Sequence, residues 1–312
     1  MALDGMFLNT IVKEIKSAAL NSRVEKISQP SREEVVISLR CRGENGSKNE
    51  SKKLLISANA SAPRLHFTTI SLENPASPPM FCMLLRKHLN TARLIDVTQN
   101  SLDRTINLVF EAVDELGDLT TAKIIIEIMG RHSNVILVNS AGKVVDSLKR
   151  ITNELSSVRM ILPGITYELP PSQNKINLLT CDINEILNKI ISLDSNDLPK
   201  AILQTIEGIS PLLAREIAFN SLGEQYGKIV QLSKLSDFYK NKIKEQLMLL
   251  KDCLLNDNFI FSQYTCEKIK LRDFTFININ QYGNKIEKTI FKTASELLDE
   301  FYKSRDQYSR MK

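Results

Sequence analysis

The most informative stretch of this sequence is Ile124-Ile125-Ile126-Glu127-Ile128-Met129-Gly130-Arg131-His132-Ser133-Asn134-Val135-Ile136-Leu137. Two aliphatic runs, each typical of a buried strand, enclose one glycine and several polar side chains. The glycine would let the backbone approach a ligand closely. Arginine and histidine can stack on or hydrogen-bond to nucleotides, and serine and asparagine can bond base edges. A nucleotide-contacting loop and a plain hairpin loop both explain the pattern.

The surrounding sequence favours more strands than helices. Residue patterns predict strands at 24–29, 33–42, 92–98, 104–113, 121–129 and 134–139, the last turning back at 139–142. Helical spacing predicts helices at 6–20 and from Met80 to Leu89, where Pro78 and Pro79 suit the first turn. Because strands are not joined by alternating helices, the first part of the chain is predicted to be α+β.

Asp103 and Arg104 lie side by side at the start of a predicted strand. Neighbouring strand residues point to opposite faces, so these two are not expected to pair with each other. Arg104 could meet a phosphate, and Asp103 could accept from a base amino group. A turn residue followed by a solvated charge is the simpler explanation of the two residues taken alone.

From about residue 175 the pattern becomes helical. Apolar spacing predicts helices at 183–191, 198–206, 211–220 and 233–255, followed by strand-like residues at 258–280. Between two of these helices lies a turn in which Gly208 permits a tight bend and Ser210 can cap the next helix. An outward-facing helix start could bind a phosphate, as in helix-hairpin-helix modules. A simple connection between packed helices is the alternative.

Composition narrows the class of protein without deciding it. The chain has 312 residues, a net charge of +5, 43% hydrophobic residues and no tryptophan. This suits a soluble protein of about two domains. The five cysteines form no metal-binding pair, so reduced thiols are expected, and no cofactor is predicted. His66, His88 and His132 show no catalytic or metal spacing.

Several blocks in this order resemble the NFACT family, also called the fibronectin-binding protein A family. They are Asp4-Gly5, 24–30, 78–89, Asp103-Arg104, 127–134, 162–171 and 208–211. The resemblance implies an N-terminal NFACT-N domain over 1–172, similar in fold to the N-terminal domain of formamidopyrimidine-DNA glycosylases. It also implies a helical helix-hairpin-helix domain over 173–256, and short strands with the start of a coiled coil over 257–312. The charged helix predicted at 293–312 reaches Lys312 without a cap, as expected of a coiled coil that continues.

For function, the resemblance is strongest to the family's bacterial ribosome quality-control members. It implies a cytoplasmic, ribosome-associated factor that binds the large ribosomal subunit carrying stalled peptidyl-tRNA. Such a factor recruits alanyl-tRNA, and alanine is added to the nascent chain without mRNA. A small RNA-binding helper protein, RqcP, is a further implied partner. The residues assigned to tRNA are Asp4, Asp103, Arg104, Glu127, Met129, Arg131, His132 and Asn134, with Gly208 and Ser210 as a phosphate-binding hairpin.

Two rival functions are weaker. A glycosylase of the similar fold uses an N-terminal proline amine as nucleophile and a glutamate for proton transfer. Here Ala2 and Leu3 follow the initiator methionine, and the paired cysteines of a glycosylase zinc finger are missing, so no enzyme activity is expected. A surface fibronectin-binding adhesin needs export, yet an acid near the start and the lack of a long apolar run argue against a signal or a membrane helix.

Overall fold

The computed structural model describes residues 3–42, 49–114, 116–156, 158–193, 195–223, 226, 231–267, 271–283 and 286–310, with only the backbone for 304–310. The chain forms two compact units. The sheet unit comprises Ile11–Asn100, Arg104–Pro171 and Leu298–Lys312. The mixed unit comprises Met1–Thr10, Ser101–Asp103 and Ser172–Leu297. Ala2, on which the comparison with glycosylases partly rests, lies outside the described residues.

The described strands of the sheet unit form one nine-stranded antiparallel sheet in the order β4-β3-β2-β1-β5-β6-β7-β8-β9. Their bounds are β1 (Arg23–Ser31), β2 (Glu34–Cys41), β3 (Glu50–Ser57), β4 (Arg64–Thr68), β5 (Arg93–Gln99), β6 (Thr105–Val113), β7 (Leu119–Glu127), β8 (Asn134–Asn139) and β9 (Val144–Ser147). The two groups of consecutive strands meet where β1 pairs with β5, through Arg23 and Arg93.

Two helices and the segment after β9 cover apolar side chains of this unit. Helix α2 (Met80–Leu89) buries Phe81, Cys82, Leu85 and Leu89, and its neighbours include β1, β6 and β9. Helix α1 (Gly5–Ala19) contributes Ile11 and Ile15, both fully buried. A separate cluster joins Ile125, Ile136, Val138, Val144 and Ile161, with Ile151 and Tyr167 packed against it. This cluster fixes the segment that follows β9 onto the sheet.

The predicted strands and helices of this unit are confirmed, with shifts of a few residues at their ends. Helix α2 has the predicted bounds, and β7 begins at Leu119 rather than 121. Periodicity reveals an element more reliably than its ends, because the terminal residues lack the full set of backbone bonds.

Among its described residues the mixed unit contains four whole helices, α3 to α6, and a three-stranded antiparallel sheet in the order β11-β10-β12. The bounds are α3 (Ile183–Ser192), α4 (Leu198–Thr205), α5 (Pro211–Leu222), α6 (Asp237–Leu255), β10 (Phe261–Cys266), β11 (Leu271–Thr275) and β12 (Glu287–Phe291). Asp182, Asp197 and Ser210 cap α3, α4 and α5 with their side chains. The ring of Phe7 packs edge-on against Phe274, with centroids 5.0 Å apart.

The last helix, α7 (Ala294–Arg310), is held to β4 in the sheet unit by one carboxylate. Asp299 accepts hydrogen bonds from the hydroxyl of Thr68 at 2.6 Å and from the amide of Thr69 at 2.8 Å. The guanidinium of Arg64 lies 4.7 Å from the ring centre of Tyr302. Four expectations from the sequence stay predictions. They are coiled-coil formation by this helix, the glycosylase-like fold, the helix-hairpin-helix assignment, and the domain boundaries at 172 and 256.

Candidate nucleic-acid interface

The polar residues between β7 and β8 form a single tight turn. Residues Gly130–His132 make one turn of 3-10 helix, and Gly130 has a φ of 60°, in the left-handed region that favours glycine. The hydroxyl of Ser133 closes the turn by accepting from the amide of Met129 at 2.8 Å. Arg131 and His132 are left exposed at the tip, where Arg131 Nε donates to His132 Nε2 at 3.0 Å.

Glu127, at one end of the turn, is buried in a closed network. Its side chain is 0% exposed and makes a two-pronged ion pair with Arg159, both N–O distances being 2.7 Å. The Tyr167 hydroxyl donates to the same carboxylate at 2.8 Å, and Arg159 also donates to the carbonyl of Glu168. Both carboxylate oxygens of Glu127 are therefore bonded within the chain, and its side chain links β7 to Arg159 and Tyr167.

The electrostatics agree with this arrangement. Burial acts to lower the pKa of Arg159, but the Glu127 carboxylate outweighs it and the pKa lies above its usual value. Burial, together with the same carboxylate, raises the pKa of Tyr167 well above its usual range. The arginine therefore stays charged and the tyrosine stays a hydrogen-bond donor at any physiological pH.

Asn134, at the other end of the turn, is also buried. Its amide nitrogen donates to the carbonyl of Lys149 at 2.7 Å, and its oxygen accepts from the amides of Val135 and Lys149. The side chain therefore fastens the backbone at Lys149 to the start of β8.

A cleft of about 580 Å³ opens beside the turn, within the sheet unit. Its lining includes the basic side chains of Arg104, Arg131, His132, Lys149, Arg150 and Arg159. None of the described residues that line it is acidic. The facing wall, called here the wall loop, consists of the described residues 152–156 and 158–160. It presents Leu155 and Val158 with exposed fractions of 73% and 67%.

The acidic partners of Lys149, Arg150 and Arg159 are set back from the cleft. Lys149 contacts Glu33 at 2.9 Å, Arg150 contacts Asp146 at 2.9 Å, and Arg159 contacts Glu127. Arg131 is at the exposed tip and Arg104 is half-buried at the start of β6, where its carbonyl accepts from the amide of Ile128. The cleft keeps a basic surface because the acids do not line it.

Met129 is half-buried and lines the same cleft, so the structure brings together Arg104, Met129, Arg131, His132 and Asn134. The sequence did not single out Leu155, Val158 or Arg159. Their positions follow from a loop of irregular conformation, which has no periodicity to read.

In the mixed unit, Asp4 lies at the start of α1 and is 7% exposed. It accepts from the amide of Phe7 at 2.6 Å and from the hydroxyl and amide of Ser210. Burial raises the pKa of Asp4 to about 6. The turn amide that was expected to hold a phosphate thus donates to a carboxylate of the same chain, and Ser210 is 3% exposed.

Gly208 and Gly5 are needed for close packing around Leu102. A Cβ atom on Gly5 would lie 1.7 Å from the carbonyl oxygen of Leu102, and one on Gly208 would lie 2.2 Å from it. Glu207 binds the hydroxyl of Ser101, which also accepts from Asn177 at 2.7 Å. Asp103 follows this fixed backbone and is half-buried.

Across the described ranges, no three histidine, cysteine, aspartate or glutamate side chains come together in a way that could hold a metal ion. Of the helices that the structure describes, none combines the length and apolar character needed to cross a membrane. His66 is buried beneath Asp299, and burial lowers its pKa to about 4.

The chain combines a large antiparallel sheet with a basic cleft at the ends of β7 and β8. The chain belongs to the family described as NFACT N-terminal and middle domains, whose sequence profile matches residues 4–312. Its curated relatives include the Rqc2 homolog RqcH of Bacillus subtilis (strain 168), 35% identical over 313 residues. That match covers 100% of this chain and 50% of the relative, so the chain spans about half the length of the curated protein.

Two solved structures are similar along almost the whole chain. The fibrinogen binding protein from Staphylococcus aureus is 29% identical with a TM-score of 0.78, covering 97% of this chain and 99% of that one. The N-terminal part of the fibronectin/fibrinogen-binding protein from Streptococcus suis is 28% identical with a TM-score of 0.75, covering 96% and 99%. The mixed fold with its large sheet is therefore shared with the N-terminal part of fibronectin-binding proteins.

Proposed function

We propose that this chain is the RNA-binding front part of a ribosome-associated quality-control factor. The whole factor binds the large ribosomal subunit carrying stalled peptidyl-tRNA and recruits alanyl-tRNA, so that alanine is added to the nascent chain without mRNA. Peptide-bond formation belongs to the ribosome, and the factor delivers and positions tRNA in the cytoplasm, with RqcP as a helper. The names of the curated relatives and the family membership support this proposal.

The observation that carries the proposal is the acid-free, basic lining of the cleft beside residues 130–132. Phosphate contacts from arginine and lysine supply most of the affinity in nucleic-acid complexes. Exposed aliphatic side chains opposite these cations offer an apolar surface for base or ribose contact. A surface that combines cations with an exposed aliphatic wall favours RNA as the ligand. A small acidic metabolite would need the cations but not the aliphatic wall.

The residues predicted for tRNA divide by their surroundings. Arg131 and His132 are proposed to contact RNA directly, with Met129 and Arg104 at the side of the cleft. Glu127 and Asn134 support them from below. Asp4, Gly208 and Ser210 form a packed junction in the mixed unit, and Asp103 is proposed to contact tRNA from the backbone that this junction fixes.

Sucrose-gradient fractionation of cells that express the chain tests the ribosomal assignment. We expect the protein to migrate with free large subunits and to dissociate as salt is raised, because phosphate contacts release counterions. An Arg131→Ala, His132→Ala double variant should shift toward the top of the gradient. Protein that never comigrates with large subunits at low salt contradicts the assignment.

A surface adhesin is the second candidate, favoured by the titles of the two similar solved structures. Immobilised fibronectin and fibrinogen provide the test. Binding that survives the Arg131→Ala, His132→Ala changes, together with protein at the cell surface, would support the adhesin over the ribosomal factor.

A further inference from the structure

The cleft has two walls that belong to different parts of the sheet unit. One wall is the turn at Gly130–His132, which is continuous with β7 and β8. The other is the wall loop, whose base is closed by two backbone hydrogen bonds between Ile151 and Ile161, at 3.0 and 2.9 Å. Because the described residues of the wall loop form no helix or strand, its position needs a further support.

That support comes from the two ends of the turn itself. Glu127 forms an ion pair with Arg159 near the far end of the wall loop and accepts a hydrogen bond from Tyr167 beyond it. Asn134 forms two hydrogen bonds with the backbone of Lys149, just before the loop begins. Both side chains are at most 1% exposed, so they reach the wall loop through protein rather than through solvent.

We propose that Glu127 and Asn134 are positioning residues that set the distance between the two walls, and that Arg159 and Tyr167 are their partners in this task. The inference rests on the proposed function, since it assigns these buried groups to the RNA cleft. The exposed middle of the turn contacts the ligand, while its buried ends hold the opposite wall. Neither Arg159 nor Tyr167 is then required to touch RNA.

The network also explains why this link uses an ion pair. A single buried carboxylate can bind a guanidinium through two parallel bonds and a phenol through a third, which fixes direction as well as distance. A hydrophobic contact at this place would hold the loop without fixing its orientation. Removal of one partner would leave a charge buried without compensation.

Fluorescence anisotropy with a labelled alanine-tRNA transcript tests the proposal through Glu127→Gln, Tyr167→Phe, Leu155→Ala and the contact variant Arg131→Ala. We expect Glu127→Gln to weaken binding about tenfold, equivalent to about 1.4 kcal/mol. Tyr167→Phe should weaken binding by a smaller factor and leave the salt dependence unchanged, because it removes no phosphate contact. Arg131→Ala should lower the slope of log K against log salt by about 0.9.

A double-mutant cycle separates positioning from independent contact. Leu155→Ala should weaken binding in the native chain but have little further effect beside Glu127→Gln or Tyr167→Phe, since the wall is already displaced. The proposal would be overturned if Leu155→Ala weakened binding by the same factor in the native chain and in the variants. Unchanged tRNA affinity of Tyr167→Phe would also overturn it. If Glu127→Gln does not fold, Tyr167→Phe decides, because it removes one hydrogen bond of the network without leaving a buried charge unpaired.

Hydrogen exchange without RNA gives an independent readout. Amides of the wall loop should exchange faster in Tyr167→Phe, while those of β5 and β6 keep their native rates. Unchanged exchange in the wall loop would overturn the positioning role. If exchange changes as expected but neither the native chain nor Arg131→Ala shows salt-dependent tRNA binding, the proposed function fails while the structural link stands.

Discussion

Glu127 and Asn134 are paired directly across β7 and β8, and both are buried although they bracket the exposed tip of the turn. Cross-strand partners on the same face lie within about 5 Å at Cβ, so the two side chains leave the sheet together. One reaches Arg159 and the other reaches the backbone of Lys149. The polar stretch is therefore divided into an exposed middle and two buried ends.

Arg131→Ala is expected to weaken tRNA binding across all tRNA species and to reduce its salt dependence. Loss of one phosphate contact lowers the salt slope by about 0.9. Arg40→Ala is the matched control, because Arg40 is an exposed arginine on β2 that does not line the cleft. Anisotropy titrations at several salt concentrations measure both slopes, and equal slopes for the two variants would rule out a phosphate contact at Arg131.

Loss of the buried ion pair should be costly for folding. In Glu127→Gln, the guanidinium of Arg159 loses the negative charge and one of the two acceptor oxygens that it binds. Breaking a buried ion pair typically costs about 3–5 kcal/mol. Tyr167→Phe removes one hydrogen bond, worth about 1 kcal/mol. Urea unfolding measures both, with Glu25→Gln as the control, since the pair of Glu25 with Arg40 is exposed and worth at most about 1 kcal/mol. A loss for Glu127→Gln no larger than that of the control contradicts the buried network.

Asp4 should make the free energy of unfolding fall as the pH rises. Burial raises its folded pKa from 3.8 to about 6, so the folded state holds the proton more tightly than the unfolded state. The stabilising contribution is full below pH about 4 and is lost as the pH passes through 6, a change of about 3 kcal/mol. Asp4→Asn should remove this dependence in urea unfolding between pH 4 and 7.

Asp182 provides the control with the opposite sign. The amides of Asn184 and Glu185 lower the pKa of this cap residue, so its contribution is lost as the pH falls. A pH profile of Asp4→Asn that parallels the native profile would contradict the burial of the Asp4 carboxyl.

Gly208→Ala should destabilise the mixed unit more than an alanine at another left-handed glycine. Its φ of 70° costs about 1–2 kcal/mol for any other residue. The new Cβ would also press on the carbonyl of Leu102, and overpacking of this kind costs about 1–3 kcal/mol. Gly283→Ala is the matched control, because its φ is 60° and a Cβ there meets nothing within 4 Å. Equal losses in chemical unfolding would show that Leu102 can move aside.

The sequence was informative where a pattern is local. The aliphatic runs on either side of Gly130 predicted β7 and β8, and the exposed Arg131 and His132 lie in the turn between them. The apolar spacing from Met80 predicted α2 to its last residue. In each of these cases, the hydrophobic pattern of residues close together in the sequence indicates the element.

The sequence was uninformative where partners are distant. Glu127 finds its partners 32 and 40 residues further along the chain, so nothing near it indicated burial. Asp4 accepts hydrogen bonds from Ser210, about two hundred residues further along the chain, so nothing near either residue indicated that contact. The edge strand β12 was not predicted, because its side chains are mostly exposed and show no alternation.

Sequencing of the RNA that copurifies with the chain from cells is the most direct test of the central claim. We expect tRNA to be enriched over total RNA, with alanine tRNA the most enriched species. This enrichment should be lost in the Asp103→Ala, Arg104→Ala double variant. A native chain without tRNA enrichment, or a double variant that enriches alanine tRNA as strongly as the native chain, would contradict the central claim.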